Sequence, residues 1–180
     1  NGTASLTLQL GMQVTNAALV DIGYNSTGGT GNGTLTVGTA PGSVRTLTGS
    51  GELRLGQQGW TATINLYGRI INNNNLLFDA TAKRSTVNLF DGYLQANGLN
   101  ETLVATATNI WFNVQKGLFI SKDNGTAGVA AALAALYTNG YITFTNGNYP
   151  GWGHAALGFN SYAGLDYAFT NGTDVLYIDY

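Results

Sequence analysis

Cysteine is absent from this chain of 180 residues, which excludes a disulfide framework, a thiol nucleophile and any cysteine-ligated metal. Charge is scarce as well: 7 Lys+Arg and 9 Asp+Glu make up 9% of the residues, against about 25% in an ordinary soluble domain. A net charge of −2 with scattered basic residues offers no basic stripe to neutralise phosphates, so nucleic acid is not an expected partner. No apolar run approaches the length of a membrane span. Proline occurs twice, and no change of composition divides the chain. The sequence given starts at Asn1 without Met, the expectation being a processed secreted protein or a trimmed one.

Chemistry-bearing residues are equally sparse. The one histidine, His154, lies in Gly151-Trp152-Gly153-His154 and has no second histidine with which to hold zinc. Its expected role is a polar residue at the start of a strand. Asp79 with Asp91, or Asp174 with Asp179, could be paired for glycoside hydrolysis, but that chemistry needs two acids facing across a cleft and nothing in their spacing indicates one. Gly28-Gly29-Thr30-Gly31 lacks the lysine and the strand-to-helix setting of a phosphate loop. Asp123-Asn124-Gly125 is too short a set for a calcium loop. No catalytic constellation emerges, so neither an enzyme nor a bound cofactor or metal is expected.

What the chain does have is alternation with a period of two, the mark of strands with one buried face. In the stretch from Trp60 to Ile70, the residues Trp60, Ala62, Ile64, Leu66 and Ile70 share a face. Thr61, Thr63, Asn65, Tyr67 and Arg69 share the other. The polar run Asn72 to Asn75 reads as a turn, followed by strands at Leu76–Ala82, Ser85–Phe90 and Tyr93–Ala96. Further strands are expected at Leu35–Ala40, Glu52–Leu55, Leu103–Val114, Tyr141–Thr145, Ala155–Tyr162, Leu165–Thr170 and Val175–Tyr180. Seven Asn-Gly dipeptides, at Asn1, Asn32, Asn97, Asn124, Asn139, Asn146 and Asn171, suit the positive backbone angles of hairpin turns. One short helix is expected over Ala127–Tyr137, where Val129, Leu133, Leu136 and Tyr137 recur at helical spacing. The expected fold is a single all-β domain, an antiparallel sandwich.

The first strand is unusual. From Thr3 to Val14 the apolar set Ala4, Leu6, Leu8, Leu10, Met12 and Val14 alternates without a break with a polar set, over about twice the common strand length. It is either the first strand of the protein's own sandwich or an arm that leaves its subunit to complete a neighbour's sheet. In the second case the arm pairs an open edge while its side chains fill pockets of the acceptor. Donor and acceptor then form a heterologous contact that yields rings or filaments.

A terminal alternating strand, an all-β domain and an Asn/Thr/Gly-rich exterior resemble the donor-strand-complemented pilins. Among these the layout is similar to the thread filament subunits of Sulfolobus-type archaea and, in plan, to bacterial chaperone–usher pilins. The resemblance implies an Ig-like, pilin-like antiparallel β-sandwich at residues 17–180, completed by a donated strand at residues 1–16 of another subunit. It further implies an extracellular, N-glycosylated, head-to-tail homopolymer of identical subunits that serves adhesion or cell–cell contact, with surface glycans or other cells as further partners. Val175–Tyr180 would lie beside the inserted strand.

Six Asn-x-Thr sequons, at Asn1, Asn25, Asn32, Asn100, Asn124 and Asn171, occur where about three are expected by chance from composition. Covalent N-glycans are expected at Asn25, Asn32, Asn100, Asn124 and Asn171, where they would solvate a charge-poor surface. Asn1 borders the arm. The rival function is a monomeric, secreted carbohydrate-binding sandwich that uses Trp60, Trp111, Trp152 and tyrosines against sugars. Against it, Trp60 and Trp111 lie in alternating strands, where core packing is the commoner fate. A capsid or surface-layer subunit is the third reading.

Few carboxylates also means little to lose on protonation, so stability should vary weakly at low pH. The melting temperature is expected to stay nearly level between neutral and strongly acidic buffer. A steep acid-side fall would contradict it.

Overall fold

The computed structural model describes residues 2–9, 13–23, 30–40, 43, 45–123, 132, 135–136, 139–144 and 174–179. Within them the chain winds as a parallel β-solenoid, each turn laying short strands on successive faces. The first turn comprises β1 (Gly2–Leu8), β2 (Val14–Ala17) and β3 (Val20–Ile22). The second comprises β4 (Gly31–Val37), β5 (Thr46–Gly49) and β6 (Leu53–Leu55), and the third β7 (Thr61–Leu66), β8 (Arg69–Asn72) and β9 (Asn75–Phe78). In the fourth turn the first two strands fuse into β10 (Arg84–Ala96), followed by β11 (Gly98–Leu99) and helix α1 (Glu101–Thr106). The fifth repeats the fusion in β12 (Ile110–Asp123). The short strand β13 (Ile142–Phe144) then pairs parallel with the first half of β12.

Alternation explains the core. On the first face Leu6, Leu35, Ile64, Val87, Phe112 and Ile142 are successive register partners, one from each turn. Val14, Leu47, Ile70, Leu94 and Phe119 belong to the second face, and Ile22, Leu55 and Phe78 to the third. Leu35, Ile64, Val87, Phe112, Leu47, Ile70, Leu94, Phe119, Leu55 and Phe78 are all buried. Each parallel strand therefore stacks like on like, and one solid apolar column runs down the inside of each face. The inward set read from Trp60–Ile70 is correct for Ala62, Ile64, Leu66 and Ile70.

This overturns the antiparallel, pilin-like sandwich completed by a donated strand. β1 pairs in parallel with β4 of its own chain, from Gly2↔Gly31 to Leu8↔Val37. The alternation from residue 3 to 14 is split between two faces, ending on the first at Leu8 and resuming on the second at Val14. Alternation reports a buried side but not strand direction. The polar stretches read as hairpin turns are corners that send the chain onto the next face. The one antiparallel pairing among the described residues joins β14 (Asp174–Asp179) to the second half of β12. Of the Asn-Gly pairs, Asn32-Gly33 lies inside β4, Asn97-Gly98 leads into β11, and Asn139-Gly140 forms a turn with Gly140 at φ +78. The asparagines of the other four pairs lie outside the described residues, as do the strands expected at Ala155–Tyr162 and Leu165–Thr170.

Helix α1 replaces the start of the strand expected at Leu103–Val114, and buries Val104 in the core. Within the helix expected at Ala127–Tyr137, the described residues Ala132, Ala135 and Leu136 are helical, and Ala132 and Leu136 are buried.

Asparagine bonds the turns together. On the outer side of the first face, Asn113 Nδ2 donates to Asn88 Oδ1 at 2.8 Å and Asn88 Nδ2 donates to Asn65 Oδ1 at 2.8 Å. At the corner between the second and third faces, Asn72 Nδ2 donates to the Asn74 carbonyl at 3.0 Å, and Asn97 Nδ2 to that of Asn73. These amides satisfy backbone and side-chain groups that a charge-poor chain could not cover with ions. Replacing Asn88 by Ala removes two ladder bonds and should cost about 1–2 kcal/mol, read as a lowered urea midpoint.

Candidate functional site

Three surface features stand out, each built by the stacking. The first is the open end of the solenoid. β1 is the first strand in the order of its sheet and, among the described residues, pairs only with β4. The Gly38 N–H donates to the Leu8 carbonyl at 3.0 Å, so the backbone groups of Leu8, Leu6 and Ala4 point toward β4. Those of Thr3, Ser5 and Thr7 point to the free edge, because successive residues of a strand face opposite neighbours. Leu6, which occupies an inward register position, is 48% exposed, and Leu19 is 47% exposed. At the other end, β13 pairs only with β12 among the described residues.

The second feature is a cleft of about 390 Å³ along one border of the first face, lined by Gly2, Thr3, Thr30, Gly31, Asn32, Gly59, Thr61 and Lys83. Thr3, Asn32 and Thr61 are register partners in successive turns, and Arg84 continues the column below them. Trp60 packs behind it: a Cβ on Gly31 would lie 2.6 Å from the Trp60 ring. The Trp60 indole nitrogen is buried without a hydrogen-bond partner. Next to the cleft, the Arg84 guanidinium lies 4.7 Å over the Trp111 ring, whose other contact is an edge-to-face packing on Tyr141 at 4.8 Å.

The third is a groove of about 330 Å³ on the third face, whose lining includes Asp21, Glu52, Arg54, Gln57, Asp79 and Asn100. Arg54 pairs with Glu52, and Asp79 Oδ1 accepts from the Thr81 N–H at 2.7 Å and its hydroxyl at 2.6 Å. Three of the groove's four charged groups are thus engaged in structural bonds.

The sequence-derived sites distribute as follows. Of the six donor residues, Leu8 is buried, Val14 half-buried, and Ala4 and Leu6 exposed. Leu10 and Met12 lie outside the described residues. Asn32 is exposed in β4 and lines the cleft. Asn100 accepts from the Phe78 N–H at 3.1 Å and donates back to the Phe78 carbonyl at 2.6 Å, so its amide serves as a strand partner for β9. Asn25, Asn124, Asn171, His154 and Trp152 lie outside the described residues. Asp79 follows β9 on the third face while Asp91 sits at the bend of β10, so the fold separates them. Asp174 and Asp179 are the first and last residues of β14. Trp111 lies on the outer face rather than in the core. Lys83 and Arg84 were not anticipated, although they are the one adjacent pair of basic residues in the chain.

Among the described residues no cluster of His, Cys, Asp or Glu is suited to hold a metal ion, and no helix is long and apolar enough to cross a membrane. Compared with family models, with curated proteins and with solved structures, the chain matches none.

Proposed function

We propose that the chain is a non-catalytic structural subunit of an extracellular filament, extended end to end by stacking of solenoid turns. The observation that carries this is the outer edge of β1: the backbone groups of Thr3, Ser5 and Thr7, which no other described strand pairs, beside the exposed Leu6. An edge of this kind is a template for another strand. The occupant is a second copy of this chain, because among the described residues the first face runs between two parallel strands that each pair on one side, β1 with β4 and β13 with β12. Seating β13 of one subunit on β1 of the next continues the sheet in the same direction and gives the exposed Leu6 an apolar neighbour. The two patches differ, so the contact is heterologous and propagates rather than closing at a dimer. The head-to-tail polymer expected of the resemblance is retained here, with turn stacking in place of strand donation.

Ser5→Pro tests the edge. It removes an N–H that points away from β4 and leaves the β1–β4 ladder intact, as proline on an edge strand does. The wild-type chain should sediment as a concentration-dependent ladder of linear species, and Ser5→Pro as a monomer with unchanged circular dichroism. A wild-type chain that stays monomeric at high concentration, or a Ser5→Pro chain that polymerises normally, would falsify the stacking.

A further inference from the structure

We infer that the cleft bounded by Thr3, Asn32, Thr61 and Lys83, with Arg84 and Trp111 beside it, binds an acidic saccharide. Its lining contains no side chain more apolar than threonine: three glycines, three threonines, one asparagine and one lysine. A volume of about 390 Å³ is within the range of ligand sites. Such a surface has little to offer a lipid or an aromatic ligand, whose binding depends on buried apolar area. It suits a ligand that carries many hydroxyls.

The sign of the charge narrows the class further. Neither Lys83 nor Arg84 has an ion-pair partner among the described residues; Arg84 Nε donates to the Thr86 hydroxyl at 3.2 Å and its guanidinium rests on Trp111. Two adjacent, exposed, unopposed cations in a chain with 7 in all favour a carboxylate or sulfate on the ligand. Two cations are too few for a nucleic acid backbone, whose binding scales with the phosphates neutralised.

The geometry suits a chain rather than a single sugar. Thr3, Asn32, Thr61 and Arg84 come from four successive turns in register, spaced at about 4.8 Å. The column thus offers hydroxyl, amide, hydroxyl and guanidinium along a line parallel to the solenoid axis. Trp111 lies one turn further on, with Tyr141 against it.

The test is calorimetric titration of the full chain with a galacturonate oligosaccharide and with its carboxyl-reduced neutral counterpart. The acidic form should bind about tenfold or more tightly than the neutral one, and binding should weaken as salt is raised. Lys83→Gln and Arg84→Gln should each weaken the acidic form by about tenfold, with the melting temperature unchanged for the exposed Lys83 and slightly lowered for Arg84, which also loses its contact with Trp111. Thr61→Val should weaken both forms alike. Equal affinity for the two saccharides overturns the proposal, as does undiminished binding by the doubly substituted chain or no binding at all. A glycan found on Asn32 by mass spectrometry, with no binding of added saccharide, would also overturn it. Titrating the Ser5→Pro monomer in parallel separates this site from end-to-end assembly.

Discussion

Replacing Gly51 by alanine should abolish cooperative folding or lower stability by on the order of 3 kcal/mol or more, read from urea denaturation. Gly51 lies at the corner between β5 and β6, and a Cβ placed there falls on the carbonyl of Ala18, at the corner one turn earlier. The two corners are clamped by the Val20 N–H, which donates to the Glu52 carbonyl at 3.0 Å. The obstacle is backbone against backbone, so no side-chain rotation relieves it. The same argument applies at Gly33, where a Cβ meets the Gly23 nitrogen. Gly140→Ala is the contrasting case: none of the described residues lies within 4 Å of a Cβ there, but φ is +78. Only the conformational strain remains, about 1 kcal/mol. A Gly51→Ala chain as stable as wild type would mean that the corners are not stacked and that the turns are spaced differently.

The side-chain parity of the strands was legible because burial writes itself into the sequence with a period of two. Ala62, Ile64, Leu66 and Ile70 all point inward as read. Strand direction was not legible from that pattern, since a strand that returns beside its neighbour and one that arrives after a full turn bury the same alternate residues. The signal that distinguishes them is a longer period. Thr63-Ile64-Asn65-Leu66, Thr86-Val87-Asn88-Leu89 and Trp111-Phe112-Asn113-Val114 share a pattern, and their asparagines are 23 and 25 residues apart. Self-similarity in that range marks stacked repeats. The asparagine at its centre is the one that forms the ladder. Reading Asn chiefly as turn chemistry concealed this: Asn65, Asn88 and Asn113 sit mid-strand, where their amides bond to one another.

The candidate sites were legible to differing degrees for the same reason. The first strand stands out locally as an apolar alternating stretch, but it pairs within its own chain rather than with a neighbour's sheet. Its partner is a long-range property: β4 begins 29 residues after β1, and nothing within β1 specifies it. The cleft is less legible still, because Thr3, Asn32, Thr61 and Lys83 are dispersed in sequence and converge only through register. Lys83-Arg84 was the available hint, an adjacent basic pair in a chain that otherwise scatters its charges.

Phe112→Ala should cost about 3–5 kcal/mol, while Trp111→Ala, next to it in the chain, should cost about 1 kcal/mol, chiefly the lost cation–π contact with Arg84. Phe112 is the inward residue of the first face at the fifth turn and is 1% exposed. Its ring lies 5.9 Å from Phe78, on the third face, and 5.2 Å from Phe119, on the second. The three rings thus join all three faces across the middle of the solenoid, and deleting one opens a cavity that rigid strands on three sides cannot close. Composition suggests the opposite order, since tryptophan is the larger apolar residue and the alternating-strand reading assigned Trp111 to the core. The outcome turns on parity alone: a register slip by one residue exchanges the two faces along the whole strand. If urea midpoints show Trp111→Ala to be the more damaging change, β12 has its faces reversed. The Asn113–Asn88 bond and the Arg84–Trp111 contact would then be lost together.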